Sequence, residues 1–337
     1  MRKRGTGLGC SWYGTGYGNG FPDVSSAFVE IHDDGSATVL TGAVDVGQGS
    51  STVFAQIVAE ELGIKPSQVL VYCGDTDTTP DAGTTAATRQ TYNTGNAVLK
   101  AVKQAKAELL EFAANHFGCT TPDGIRLKDG WIGLKFAEEK RVPLGELVFQ
   151  ARLFHGKRFL GAESFTAVTS PVDLNSGQGA PYWPYTFGCQ FAEVEVDTET
   201  GIVTVIKIVA AQDMGRAINP TMVEGQIAGA VAQGVGFALL EEVELNQGKI
   251  QNPAFSKYLI PTSLDVPVVD SVIVEDAECS GPYGAKGLGE PAMLPTIAAV
   301  INAIDDAVGV RITSLPATPE KILAALKAKQ TEGRETS

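Results

Sequence analysis

Ser26-Ala-Phe-Val-Glu-Ile-His32 and Ala37-Thr-Val-Leu-Thr-Gly42 alternate apolar and polar residues on either side of Asp33-Asp34-Gly35-Ser36. A period of two around such a turn predicts a β-hairpin, because glycine and aspartate accept the positive φ a tight turn needs. The pattern returns at Gln190-Phe-Ala-Glu-Val-Glu-Val196 and Ile202-Val-Thr-Val-Ile-Lys-Ile-Val209, joined by Asp197-Thr-Glu-Thr-Gly201. Each hairpin leads to a helical pattern. After the first, Asp45-Val-Gly47-Gln48-Gly49-Ser50-Ser51 opens a run with Val53, Phe54, Ile57, Val58 and Leu62 at helical spacing. After the second, Gly225-Gln226 opens a run expected to stay helical through Leu240. The fold expected is α+β: two related β-hairpin-plus-helix halves, offset by roughly 165 residues.

The remaining punctuation sets the domain limits. Ser170 to Tyr185 holds Pro171, Gly177, Gly179, Pro181 and Pro184, too many breakers for a simple connection. One domain is therefore expected over residues 1–170 and a second over 186–326, with 327–337 as a polar tail. Pro66-Ser-Gln-Val-Leu-Val-Tyr72 reads as a strand, and a helix is expected from about Asn96 to Phe117. Residues 119–150 read as a small strand–turn–helix insert turning at Asp129-Gly130.

Composition excludes several classes. Lysine and arginine number 26 against 39 acids, a net charge of −13, which disfavours binding to a nucleic-acid backbone. No apolar run reaches the roughly 20 residues of a membrane helix. Met1-Arg-Lys-Arg4 leads into glycines rather than an apolar segment, unlike a signal peptide. Cys10, Cys73, Cys119, Cys189 and Cys279 are scattered without a C-x-x-C pair, which disfavours a zinc or iron–sulfur site and fits a reducing cytoplasm. Three histidines without an H-E-x-x-H pattern make a histidine-based metal site a poor expectation, so no metal ligand is assigned.

Four places carry candidate chemistry. Gly281-Pro-Tyr-Gly-Ala-Lys-Gly-Leu-Gly-Glu-Pro-Ala-Met293 is a loop by its glycines and prolines, and it presents one carboxylate, Glu290, ahead of an apolar helix from Leu294 to Ile304. That glutamate either caps the helix N-terminus, where negative charge is favoured, or serves a site. Gly47-Gln48-Gly49 and Gly225-Gln226, as helix starts, would present backbone donors to an anion or to one ligand from two sides. Ordinary capping by Ser50 or Ser51 fits the first of these equally well. Gly83-Thr-Thr-Ala-Ala-Thr-Arg89-Gln90-Thr91 is either a solvated loop or a holder of phosphate and heterocycle edges. Residues 5–20 interleave glycines with Trp12, Tyr13 and Tyr17. No strand precedes Gly14-Thr-Gly16-Tyr-Gly18, so it is not a dinucleotide loop, and its aromatics either pack or line a pocket.

Taken together, Asp45-Val-Gly47-Gln48-Gly49, Thr85-Ala-Ala-Thr-Arg-Gln90, Gly225-Gln226 with Gly229-Ala230 and Gln233-Gly234, and Gly287-Leu-Gly289-Glu290-Pro291 occur in register. In this the chain resembles the molybdenum hydroxylases, the xanthine dehydrogenase and aldehyde oxidase family. The likeness runs from Lys3-Arg4-Gly5 to about Leu326 and covers the C-terminal half of their molybdopterin-binding large subunit. A split large subunit is the expectation.

The resemblance implies Glu290 as general base beside molybdenum. It implies Gly47, Gln48, Gly49, Thr88, Arg89, Gln90, Thr91 and Gln226 as contacts of the pterin cofactor, and Tyr13 and Tyr17 as contacts of the substrate. Arg89 and Gln90 stand where eukaryotic relatives carry smaller residues, so the cofactor's tail is expected to be held differently. The implied cofactor is molybdenum with molybdopterin cytosine dinucleotide, with FAD and 2Fe-2S clusters on partner chains. The implied partners are a second molybdopterin-binding subunit, an iron–sulfur subunit and a flavin subunit, acting on a small N-heteroaromatic acid such as nicotinate. A non-catalytic cofactor-holding module and a purine- or aldehyde-oxidising relative are the alternatives.

Overall fold

The computed structural model describes residues 1–18, 21 and 23–335. β1 (Arg2–Gly14) precedes the first predicted hairpin, β2 (Val24–Ile31) and β3 (Ala37–Thr41). α1 (Ser50–Leu62), β4 (Val69–Cys73) and α2 (Gly95–Phe117) follow. β5 (Ile125–Lys128), β6 (Trp131–Leu134) and β7 (Ala137–Pro143) lead to α3 (Leu144–His155) and β8 (Phe159–Thr166). The second hairpin is β9 (Tyr185–Asp197) with β10 (Val203–Asp213), followed by α4 (Pro220–Leu239). The short β11 (Leu245–Asn246) and β12 (Lys249–Ile250), then β13 (Val268–Val274), α5 (Leu294–Val308) and α6 (Pro319–Glu335) complete the order.

These elements form two compact units. A central unit contains Gly14–Pro184 and Ala277–Gly287; a terminal unit contains Met1–Tyr13, Tyr185–Asp276 and Leu288–Ser337. In the central unit the sheet runs β4-β3-β2-β8. β2 pairs antiparallel with β3 and β8, and β3 pairs parallel with β4 across the α1 crossover. The hairpin turn holds because Asp34 Oδ1 accepts from Ser36 N at 2.8 Å and Gly35 takes a φ of 84°. The insert is a three-stranded sheet, β5-β6-β7, turning at Asp129 and Gly130 with φ of 52° and 77°. α1 and α2 bury Phe54, Ile57, Val58, Leu62, Val98, Val102 and Leu109 beneath the larger sheet.

In the terminal unit the sheet runs β1-β9-β10-β13. β9 and β10 are antiparallel, and β10 pairs parallel with β13 across α4. β1 lies antiparallel to β9, with Thr198 N donating to Met1 O and Arg2 paired to Glu195. Each unit thus has the same plan: a hairpin, a helical crossover to a parallel strand, and an antiparallel strand on the far side.

β1 explains part of the glycine-rich stretch. Gly5, Gly7 and Gly9 face α5, and a β-carbon there would come within 2.3 Å of Ala307 N, 2.2 Å of Ala299 O and 2.1 Å of Pro295 O. Two strand residues advance about 6.8 Å and four helix residues about 6 Å, so every second glycine meets the next turn of the helix. The strand lies directly on the helix backbone. Beneath the same sheet, Ala192, Val194, Val196, Ile208, Ile227, Val231, Ala299, Val300 and Ile304 form the core.

Four expectations need correction, the first being that a strand, β1, does run into Gly14-Thr-Gly16-Tyr-Gly18 where none was expected, although the next element is a strand, β2, and not the helix a dinucleotide loop needs. The split at 170–186 misplaces two segments: β1 pairs into the later sheet, and Ala277–Gly287 belongs to the central unit. The tail from 327 is not a separate segment, since α6 continues to Glu335; the last two residues lie outside those described. One continuous helical stretch, Glu290–Val308, is long and apolar enough to cross a membrane. Pro295, Thr296, Ala299, Val300, Ala303, Ile304 and Ala307 on it are buried at helical spacing, as on an amphipathic core helix.

Candidate functional site

Glu290 opens a single helical turn, Glu290–Ala292, that runs into α5. Three side chains of the terminal unit hold this turn. Ser11 on β1 donates to Pro291 O at 3.4 Å, and Gln190 on β9 donates through Nε2 to Ala292 O at 2.6 Å. Gln190 is fixed in turn by Thr296, whose hydroxyl donates to Gln190 Oε1 at 2.6 Å. Tyr13, at the end of β1, donates its hydroxyl to Glu290 Oε2. The carboxylate itself is exposed in this chain.

α4 starts earlier than expected. Asn219 accepts from Met222 N at 3.1 Å as the N-cap and Pro220 occupies the first turn, the pattern of a helix start. Gly225 and Gln226 therefore lie inside the helix and do not form its tip, so their backbone donors are used within it. What they offer instead is a bare surface. A β-carbon at Gly225 or Gly229 would meet nothing within 4 Å, and half-buried Gln226 stands beside Gly225. Gly234, by contrast, is required by packing, since a β-carbon there would come within 2.4 Å of Thr296 Cβ.

In the central unit the start of α1 is already occupied by a carboxylate. Asp45 Oδ1 accepts from Gly47 N at 3.0 Å and Gly49 N at 3.1 Å, and Oδ2 accepts from Ser51 N at 3.1 Å. Burial raises the Asp45 pKa, but these three N–H donors outweigh it and hold the carboxyl below its ordinary value. A second anion has no claim on those amides. This corrects the expected anion site, and also the expected capping by Ser50 or Ser51, since neither side chain caps the helix. Gln48 staples its own loop, accepting from Val46 N at 2.7 Å and donating to Val44 O at 3.2 Å and Ser50 Oγ at 3.0 Å. Exposed Gly47, with a φ of 105°, faces open space.

The segment after Thr84 is tied to the same loop, because Thr85 Oγ1 donates to Val44 O at 2.8 Å. Arg89 is 1% exposed and ion-paired to Asp23 through Nε. Its other donors go to Ala82 O, Thr84 O, Val24 O and Ser25 Oγ. All five guanidinium hydrogens have partners, so Arg89 holds the loop and is not available to grip a phosphate. Gln90 is also internal, donating to Thr84 O at 3.3 Å and Thr85 Oγ1 at 3.1 Å. Thr88, with a φ of 59°, presents its carbonyl to Gly287, where a β-carbon would come within 1.8 Å. Thr91 lies half-buried in the π-helical turn Gln90–Thr94 that precedes α2. Tyr17 packs its ring 5.5 Å from the Arg89 guanidinium and donates to Thr84 O at 3.2 Å. Tyr13 and Tyr17 therefore have different partners, Glu290 for one and Arg89 for the other.

Residues 1–267 match the molybdopterin cofactor-binding domain model. The chain belongs to the molybdenum hydroxylase family. It is 33% identical to a putative xanthine dehydrogenase molybdenum-binding subunit of Escherichia coli K12, over 95% of this chain and 42% of that one. It is 35% identical to the gamma subunit of a 6-hydroxypseudooxynicotine dehydrogenase complex of Paenarthrobacter nicotinovorans, over 96% of this chain and 40% of that one. Its structure matches quinoline 2-oxidoreductase from Pseudomonas putida 86 with a TM-score of 0.86 and 30% identity, over 97% of this chain and 42% of the other. The chain thus spans about two fifths of the length of these relatives.

For a family whose cofactor is a flat pterin, this chain offers bare backbone more than charged side chains. Gly47, Gly225 and Gly229 each leave open space where a side chain would project, which fits close approach of such a group. Arg89 and the α1 amides do not fit a direct grip on it. Among the described residues no three His, Cys, Asp or Glu side chains gather as metal ligands.

Sequence reading missed Ser11, Gln190 and Thr296, which hold the Glu290 turn. One signal was available for Gln190. It sits in the buried phase of β9 with Ala192, Val194 and Val196, where a polar side chain needs a specific partner.

Proposed function

We propose that this chain is the molybdopterin-binding subunit of a multi-subunit hydroxylase that adds water-derived oxygen to an electron-poor ring carbon of an N-heteroaromatic acid such as nicotinate. The supporting observation is the Glu290 turn: a carboxylate at a helix start, its backbone fixed by Ser11 and Gln190 and its side chain oriented by Tyr13. A general base must be held within hydrogen-bond reach of the proton it removes, and that triple constraint supplies the rigidity.

When bound, molybdenum would supply the oxygen nucleophile and accept the electrons. This chain's own part is proton transfer and positioning. Glu290 accepts the proton of the attacking oxygen. Tyr13 fixes the rotation of the carboxylate, and its ring offers a surface to an aromatic substrate. On this reading the pterin, as its cytosine dinucleotide, would lie against the bare surface at Gly47, with Gln48, Thr88 and Thr91 of the central unit beside it, and Gln226 with Gly225 and Gly229 offers a second bare surface on the terminal unit. Arg89 and Gln90 support it indirectly by fixing the loop that carries Thr88. Partner subunits with 2Fe-2S and flavin groups would take the electrons onward, and a second molybdopterin-binding subunit would complete the pocket, in the cytoplasm.

Glu290→Gln in the assembled complex tests this reading. Turnover should be lost while molybdenum per complex stays near the wild-type level. Retention of most of the activity would show that Glu290 is not the base. One observation favours a second reading: Glu290 is exposed in this chain. If it remains open to solvent in the assembled complex, a non-catalytic cofactor-holding role becomes the better account.

A further inference from the structure

The terminal-unit sheet has two very different faces. The inward face is built from Gly5, Gly7, Gly9 and from Thr186, Gln190, Ala192, Val194 and Val196, and is buried. Alternation then requires the other residues to point the opposite way. On a sheet with one covered face, the second is ordinarily polar. Here one end of it is. Arg2 and Arg4 pair with Glu193 and Glu195, and Lys207 pairs with Asp270.

The other end is apolar across all four strands. Trp12 is 70% exposed, Phe187 55%, Leu8 54% and Phe191 43%, with Val272 and Val274 on β13 similarly open. Register brings them together: Cys189 on β9 lies opposite Ala211 on β10, which lies opposite Val272 on β13. The Cys10 thiol sits 3.4 Å from that of Cys189, and the Trp12 and Tyr185 rings are 5.3 Å apart. Four strands about 4.8 Å apart and three rows about 6.8 Å apart give a patch roughly 14 Å on a side before side chains are added. Contiguous aromatic and aliphatic exposure of this kind, edged by charges, is the composition of an interface core.

We infer that this face docks the portion of the family's molybdenum-binding chain that these residues do not span. The length comparison selects that occupant, since the alignment uses 95% of this chain but only 42% of the Escherichia coli relative. More than half of the relative's fold is therefore unaccounted for, and an exposed apolar sheet face is where a missing layer of a larger core belongs. Its apolar end calls for an apolar partner surface, with Asp270, in the row of Phe191 and Val209, at one corner and the other paired charges beyond it forming the rim. This deepens the partner assignment of the proposed function and rests on it.

Cys10, within the patch, provides the probe. The purified chain and the assembled holo-complex are treated with N-ethylmaleimide under a phosphine reductant that keeps Cys10 and Cys189 as thiols. Labelling is read residue by residue by mass spectrometry against a denatured reference, with exposed Cys279 followed in the same molecules. Docking on this face predicts at least a tenfold slower reaction of Cys10 in the complex. Leu8→Glu with Phe191→Glu should abolish assembly while the isolated variant keeps its thermal transition, because about half of each residue is already in water. Equal Cys10 rates in chain and complex, or normal assembly of the double variant, would overturn the inference. Protection that grows with the concentration of the chain alone would overturn it too, in favour of a second copy. Glu290→Gln separates the two claims, since loss of the base leaves the footprint unchanged and loss of the footprint leaves the base assignment standing.

Discussion

Arg89 looks in the sequence like a phosphate ligand and proves to be a structural core residue. Removing one member of a buried ion pair strands the other charge, at about 3–5 kcal/mol. Arg89→Met should therefore lower stability by that order in chemical denaturation, with cofactor content falling only in step with the folded fraction. A selective loss of cofactor from fully folded protein would restore a direct contact. Asp45 makes a separate prediction, in pH. Its folded pKa lies below the ordinary 3.8, so its contribution is complete above the unfolded value and is lost as pH falls through the folded one. Asp45→Asn should cost about 1 kcal/mol near neutrality, as for a helix cap. The melting-temperature gap between wild type and variant should close as pH falls below the ordinary carboxylate value and on through the lower folded one. A gap that widens on acidification would contradict the hydrogen bonds seen at Gly47, Gly49 and Ser51.

At the scale of elements, the seam between β1 and α5 depends on missing side chains. Gly7→Ala would place a β-carbon 2.2 Å from Ala299 O, with backbone on both sides and nothing flexible to yield. Overpacking of this kind costs about 1–3 kcal/mol, which lowers the melting temperature of a unit this size by several degrees. Thr6→Ala, one position along and exposed, loses only a long 3.4 Å hydroxyl bond to Asp306 and keeps the backbone one, so it should do much less. Most of the framework was legible because it is written in local patterns. Both hairpins, α1, α2 and α5 follow from alternation, helical spacing and turn residues between Ser26 and Ile304. The start of α4 was legible too, in Asn219-Pro220, but Gly225-Gln226 drew attention away through likeness to Gly47-Gln48. What could not be read was non-local. Nothing near Gly5, Gly7 and Gly9 says that their partner is a helix some 290 residues later. Likewise, no local pattern reveals that Asp23 waits for Arg89. Glu290 was legible as a placed carboxylate, whereas its supports on β1 and β9 were visible only once those strands lay side by side.

At the scale of the molecule, the two units repeat one plan, but β1 and Ala277–Gly287 break the simple order of domains. Removing residues 1–13 should speed hydrogen exchange along β9 and α5 and leave β2 and β3 protected as before. Equal loosening of both sheets would mean that the units do not unfold separately. The exchange of strands also sets a timetable. Every strand of the β4-β3-β2-β8 sheet has been made once residue 166 emerges from a ribosome, so that sheet can close early. β1 is translated before every other strand described, yet β9 follows only from residue 185 and the helix that covers β1 only from residue 294. It waits with glycine along one edge, giving nascent neighbours few side chains to grip. A strand held in reserve so long has reason to be nearly featureless on the side it will finally bury.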